Sequence, residues 1–228
     1  MEDYERRALR ARVQLQSLEQ TIGNCKRCPL NKSRENLVFG GGNPDAPIMV
    51  ISSTVVWSED RSGKVLDGDH GNLVARAMSE VGLDPRQDIY ACTAIKCQRP
   101  YEIKDGERRR ADPPQSAIDT CIPFLRWQID IVNPAIVIVQ GKLAGVQVLG
   151  ETRPFVMFSG SWRSFGKNRV AFATHNPAGI FGERIGLQSE YLQHWHQVAQ
   201  RLDCLGRMWK PDAACFRRGW SYQGVENA

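Results

Sequence analysis

Cys25-Lys26-Arg27-Cys28 sets two thiols three positions apart, a spacing that can place both on one soft metal centre. Five further cysteines follow: Cys92, Cys97, Cys121, Cys204 and Cys215. The charged start, MEDYERRALRARVQLQ, has no apolar signal-peptide core, and no apolar run approaches membrane-spanning length. The expectation is therefore a cytoplasmic protein with no membrane partner. A reducing compartment disfavours structural disulfides, so clustered cysteines there point to metal. Zinc or an iron–sulfur centre would need two more soft ligands besides the clip. Cys97 and Cys121 flank a polar, proline-bearing stretch and are the natural candidates. Cys92 lies inside the apolar run DIYACTAI, where a small buried hydrophobe is the better reading. Cys204 and Cys215, near the C-terminus, look incidental.

A second group is cationic. The segment YEIKDGERRRADPP (101–114) carries Arg108, Arg109 and Arg110 in a row, and the chain as a whole has a formal net charge of +5. Such a balance permits a polyanionic partner without demanding one, and a charged loop is by default a solvated loop. A third group, Asp67, Asp69 and His70 in LDGDHG, stands just before a helical pattern, where Asp also serves as a cap.

These groups need a scaffold. At 228 residues and 42% hydrophobic, the chain is long enough for one good core. Residues 2–22 have the charge-laced periodicity of an amphipathic helix. Four β-rich apolar runs, APIMVIS (46–52), QDIYACTAI (87–95), AIVIVQG (135–141) and NRVAFATHNP (168–177), read as strands. Between and after them, 71–83, 115–132, KLAGVQVLG and 189–205 read as helices. The alternation predicts an α/β fold, a three-layer α/β/α sandwich around a mainly parallel sheet. Chemistry in such sheets gathers at the carboxyl ends of the strands. That brings together the loops 52–70, 93–112, 141–146 and 174–184. The expected organisation is an N-terminal helix (1–24), a main domain (25–205) and a loosely ordered C-terminal tail (206–228).

The order CKRCPL, NLVFGGGNPDAPIMVI, DIYACTAIKCQRP, CIPFLRWQIDIVNPAIVIVQGKLAGVQVLG, ATHNPAGIF resembles the iron–sulfur uracil-DNA glycosylases, families four and five of that superfamily. The resemblance runs from about residue 25 to 203. It implies a uracil-DNA glycosylase-like fold, DNA as partner, and a 4Fe–4S cluster held by Cys25, Cys28, Cys97 and Cys121. In the family this cluster is structural and lies near the DNA. A monomer is expected.

Where the family keeps its catalytic motifs, this sequence departs. Family four carries a GEAPG segment after the first strand, whose Glu prepares the attacking water. The matching stretch here is Ser52-Ser53-Thr54-Val55-Val56, with Ser53 at the acidic position and Thr54 beside it in the base pocket. Leu66 stands where the family has a Phe that stacks on the extruded base. Thr93 replaces the base-reading Asn, and cannot make an amide's bidentate contacts. The family's His-Pro becomes Asn176-Pro177, whose amide can donate hydrogen bonds to a departing base but cannot transfer a proton. Family five also lacks the Glu, and its Arg-Thr-Gly…Gly-Asp is similar to Arg61-Ser62-Gly63…Gly68-Asp69. By that resemblance Asp69 positions water and stabilises positive charge at the sugar, with Asp67 second and His70 third. His175, by strand alternation, faces away from Asn176 as a packing or phosphate residue.

The 101–114 segment is similar to the basic insertion of a subgroup that captures its own product covalently through a His. Ala111 occupies the His position, so trapping is not expected, and Arg108, Arg109 and Arg110 would contact phosphates. Ile180 and Phe181 are offered as an apolar wedge into the gap left by an extruded base. Three functions remain open. One is a DNA glycosylase for a modified or damaged base, such as a modified phage pyrimidine excised in antiviral defence. The others are an ordinary uracil-DNA glycosylase of base-excision repair, and a catalytically decayed DNA-binding protein.

Overall fold

The computed structural model describes residues 2–166, 168–180 and 186–205, without the side chains of residues 2–4, Lys104 and Arg108. The expected tail at 206–228, with Cys215, and the wedge residue Phe181 lie outside the described residues.

The strand runs become β2 (Ile48–Val55), β3 (Ile89–Gln98), β6 (Ile136–Gln140) and β8 (Val170–Thr174), all parallel. Two short antiparallel edges close the sheet, giving the order β1-β3-β2-β6-β8-β7. The glycine run supplies one edge, β1 (Gly41–Gly42), and β7 (Trp162–Ser164) the other. Neither edge was expected, because two or three residues of strand leave no period to read.

The alternation of β2 divides the interior into two layers. Met49 and Ile51 face α1 (Glu2–Ile22), α4 (Gln115–Val132) and α5 (Lys142–Leu149), packing with Leu15, Leu18, Ile22, Phe124 and Ile129. Ile48 and Val50 face α3 (Asp69–Glu80) and α6 (Leu187–Cys204), packing with Val74, Met78, Tyr191, Trp195 and Val198. Both faces of the sheet are covered, so its central strands are continuous apolar runs. The expected three-layer α/β/α sandwich around a mainly parallel sheet is therefore present. The first helix shares the core through its Leu15, Leu18 and Ile22 face and is fastened by Arg7, which pairs with buried Asp45 at 2.6 Å. No helix among the described residues is long and apolar enough to cross a membrane.

The basic insertion is a hairpin. β4 (Tyr101–Lys104) pairs antiparallel with β5 (Glu107–Arg110) around Asp105-Gly106, both with positive φ (55° and 79°). Asp-Gly is the sequence signal for such a two-residue turn.

Candidate functional site

The central sheet changes chemistry at one row. Ile51, Cys92, Val139 and Ala173 are apolar, and the next position along each strand is Ser52, Thr93, Gln140 or Thr174. Ser52 pairs with Thr93 and Gln140 with Thr174. Thr93 is 0% exposed and its Oγ1 has no hydrogen-bond partner among the described residues. Gln140 donates from Nε2 to the Tyr191 hydroxyl at 3.0 Å, while its Oε1 is buried and unpartnered among them. Two such unpartnered polar atoms thus lie on one row at the carboxyl ends of the strands, where chemistry in an α/β sheet gathers. Gln140 was missed from sequence. Its only signal is a polar residue ending an apolar strand before glycine.

Beyond this row β2 continues through Ser53 and Thr54, both buried, to an irregularity in its pairing at Thr54–Val55. Thr54 Oγ1 accepts a hydrogen bond from Arg99 Nε at 3.2 Å. Arg99 Nη1 also donates to the Ala111 carbonyl at 2.8 Å, so one guanidinium ties the pocket strand to the hairpin. Arg99 is a second residue that sequence reasoning passed over.

The segment after β2 folds into a short helix, α2 (Trp57–Ser62), and a loop organised by two buried carboxylates. Glu59, 1% exposed, accepts from the Val56 N–H at 3.0 Å and the Leu66 N–H at 2.8 Å, and meets His70 Nε2 at 3.1 Å. Asp60 accepts from the Glu35 and Asn36 backbone amides, pinning the loop to the segment behind the cysteine clip. His70, third choice as a water-positioning group, is thus committed to holding Glu59. A Cβ on Gly71 would lie 1.7 Å from the Leu66 carbonyl oxygen, so only glycine lets α3 meet this loop. Leu66 itself has φ +58°. It lines a cleft with Gly40, Gly41, Asn72 and Ala75, a cleft that contains none of Ser53, Thr93 or Asn176.

Asp69 is the first residue of α3, exposed, and makes no ion pair among the described residues. Asp67 is half-buried and its carbonyl accepts from the Ser58 hydroxyl at 2.5 Å. Asn176 follows β8 and caps the short turn Pro177–Gly179, its Oδ1 accepting from the Ala178 N–H at 3.0 Å. That bond engages the carbonyl end of the amide and leaves Nδ2 as donor. A Cβ on Gly141 would come 2.9 Å from Asn176 Cβ, so the glycine after β6 allows the Asn176 loop to close over the strand ends. The turn packs against α3, which brings the elements bearing Asp69 and Asn176 side by side.

Two expectations fail on the geometry. Ile180 is not a wedge: the capped turn folds it under α3, and it is 1% exposed among Val74, Tyr191 and Trp195. Arg110 is not poised outward for phosphate. Its guanidinium lies 3.8 Å from the Tyr101 ring centroid and donates to the Arg99 carbonyl at 2.6 Å, because the hairpin turns it back on its own base. Arg109 is exposed and pairs with Glu102 across the strands at 3.2 Å. His175 stands half-buried against the edge of Phe155 and the face of His194.

On the far side of β3, Cys25, Cys28, Cys97 and Cys121 line one small cavity with Arg34 and Lys96. Cys97 is the penultimate residue of the strand, Cys121 comes from α4, and the clip follows α1. Cys92 does not line this cavity and packs in the core with Tyr90 and Met49, while Cys204 is exposed at the end of α6. Burial pushes the Cys97 thiol up to about 11, against the pull of Arg34, whose Nη1 donates to its Sγ at 3.0 Å. Burial also raises Cys121. Lys96 is buried, its amine donating to the Thr93 carbonyl at 2.5 Å and to Gln128 Oε1 at 2.6 Å, and burial lowers its pKa. This lysine joins the cysteine cavity to the polar row.

A model of the uracil DNA glycosylase superfamily matches residues 39–200. The chain is 31% identical over 132 residues to a type-4 uracil-DNA glycosylase of Pyrobaculum aerophilum, covering 58% of this chain and 63% of that protein. It is 28% identical over 172 residues to a type-4 uracil-DNA glycosylase of Sulfurisphaera tokodaii, covering 72% and 74%. With the type-4 uracil-DNA glycosylase of Archaeoglobus fulgidus the identity is 27% over 193 residues, covering 82% and 92%.

Proposed function

This chain belongs to the uracil DNA glycosylase superfamily, and from that premise we propose that it is a DNA glycosylase. It acts as a monomer on a nucleotide turned out of the DNA stack. The observation that supports this best is the packing of α3, headed by Asp69, against the turn capped by Asn176. A glycosylase needs a carboxylate on the sugar side and donors on the base side. In the reaction the base–sugar bond breaks with its electron pair leaving on the base. Asn176 Nδ2 donates to that anion. Water adds to the anomeric carbon, held and relieved of its proton by Asp69, and an abasic site remains. Asp67 is the alternative acid two residues earlier.

The four cysteines facing one cavity suit a 4Fe–4S cluster. Buried thiols are costly to ionise alone, and a cluster supplies the positive charge that stabilises thiolates. Cys25, Cys28, Cys97 and Cys121 would ligate it, with Arg34 hydrogen-bonded to one sulfur. Its contribution is a covalent tie between three segments.

The base is a pyrimidine other than plain uracil. Ser53, Leu66 and Thr93 stand where the resemblance implies a carboxylate, a stacking ring and a base-reading amide. Without a bidentate pairing, discrimination typically falls a hundredfold or more. Pyrimidines bulky at C5, such as those of modified phage genomes, suit a site in which Ser53 and Thr93 take the places of larger side chains, and their excision would serve antiviral defence. Uracil itself is the second reading, favoured by the names of the relatives. A panel of duplexes carrying single uracil or 5-substituted pyrimidines, with modified phage DNAs, decides between them by alkali-labile sites. Faster release of a 5-substituted base supports the proposal. Rapid release of uracil alone promotes the second reading. DNA binding without release from any substrate would leave a binding protein.

A further inference from the structure

At the C-terminal end of β8, one residue before Asn176, three ligand-type side chains converge that the glycosylase reaction does not use. They are His175, Glu190 and His194, whose ligand atoms all lie within 4.8 Å of one another. Glu190 and His194 are four residues apart on α6 and so share one face of the helix. His175 comes from the strand end. The Glu190 Oε1 lies 2.9 Å from His175 Nε2 and 3.7 Å from His194 Nε2. Four-coordinate zinc with bonds of about 2.0–2.1 Å has ligand–ligand edges of about 3.3 Å, so these separations bracket the required value.

We propose that His175 Nε2, Glu190 Oε1 and His194 Nε2 form a three-ligand site for a zinc-class divalent cation, which clamps α6 to the end of β8.

The surroundings fit a cation better than an ordinary ion pair. The two imidazoles lie nearly parallel, 10° apart with centroids at 5.6 Å, which turns both rings to the same carboxylate. His175 Nε2 is buried and lacks the alignment of a hydrogen bond to Glu190 despite their approach. His194 Nδ1 meets the buried Thr174 hydroxyl at 2.8 Å, and an Nδ1–H donated there leaves the Nε2 lone pair for metal. Phe155 and Phe172 stand edge-on to the two rings and form an apolar wall. A Cβ on Gly160 would sit 2.8 Å from His194 Nε2, so glycine keeps the ligating atom unobstructed. The Glu190 side chain is 45% exposed, which gives the ion an entry path and a solvent-facing fourth position. The set of two histidines and one carboxylate with an open position is a recurrent zinc arrangement.

The test uses iron-loaded, anaerobically purified full-length protein. It is equilibrated with zinc, dialysed against metal-free buffer, and analysed for zinc and iron by mass spectrometry beside Glu190→Gln and His194→Gln. Wild type is expected to retain one more zinc per chain than either variant, at unchanged iron. The zinc X-ray absorption edge should show nitrogen and oxygen neighbours near about 2.0–2.1 Å and no sulfur shell near about 2.3 Å. Zinc should raise the melting temperature of wild type and leave that of Glu190→Gln unmoved. Equal zinc retention in wild type and Glu190→Gln, or a sulfur shell, would overturn the assignment. Should His194→Gln fail to fold, Glu190→Gln, altered on the solvent side, decides alone. None of these readouts depends on base release.

Discussion

At the scale of single residues, charge and engagement separate the carboxylates. Asp69 and Glu59 are both acids in the segment that follows β2, yet Glu59 is buried against His70 and Asp69 makes no ion pair among the described residues. Asp69→Asn keeps size and removes charge, so base release should fall at least a hundredfold while DNA affinity is retained, as read by single-turnover kinetics and a binding titration. Normal release by Asp69→Asn with loss in Asp67→Asn would move the acid two residues back. Glu59→Gln should behave differently. Its carboxylate satisfies the Val56 and Leu66 backbone amides with separate oxygens, and an amide offers only one acceptor. Stability should drop by about 1–3 kcal/mol in urea unfolding, the cost of a buried donor left unpaired. An unchanged midpoint would show that His70 and the backbone hold the loop without it. Asp69 was visible in the sequence as a candidate because it falls in a motif-like Gly-Asp. Glu59 was not, because a buried carboxylate that accepts backbone amides leaves no pattern in the chain.

At the scale of elements, periodicity carried most of the reading. All four long strands and the helix at 115–132 lie where apolar spacing places them, since each buries a face against the sheet. The hairpin's sequence reads as a charged loop. Its partner strands are four residues each, and its polar, half-exposed sequence gives no apolar stripe to mark it. The three adjacent arginines consequently looked equivalent, and folding makes them unequal. Arg110 is spent on Tyr101 and the Arg99 carbonyl, while Arg109 is exposed beside Glu102. Replacing Arg108 and Arg109 by Ala should flatten the dependence of DNA affinity on salt, by about 0.9 in log–log slope for each phosphate no longer neutralised. Arg110→Ala should instead loosen the hairpin, seen as faster amide exchange in 101–110. An equal loss of salt slope from Arg110→Ala alone would mean that the hairpin reopens on DNA and frees it.

At the scale of the molecule, the cysteine cavity joins parts of the chain that the sheet does not. The clip follows the first helix, Cys97 lies near the end of β3, and Cys121 sits in α4. Ligation at this point closes a loop of nearly a hundred residues through the core, and its free energy is available only to the folded chain. The cavity also abuts Lys96, whose amine holds the Thr93 carbonyl in the polar row, so loosening it should reach the base pocket. Anaerobically purified protein is expected to be brown and to carry four irons. Cys121→Ser should lose most of the iron, the colour and much of the folded protein. Cys92→Ala, a core thiol outside the cavity, should keep all the iron and lose only packing stability. The comparison separates ligation from burial, because both cysteines are buried and only one faces the cavity. If Cys92→Ala lost iron as Cys121→Ser does, the effect would be a general consequence of a damaged core. If wild type instead held zinc in a sulfur shell, the four thiols would form a zinc site, and the 4Fe–4S assignment would fall while the tie between the three segments stood.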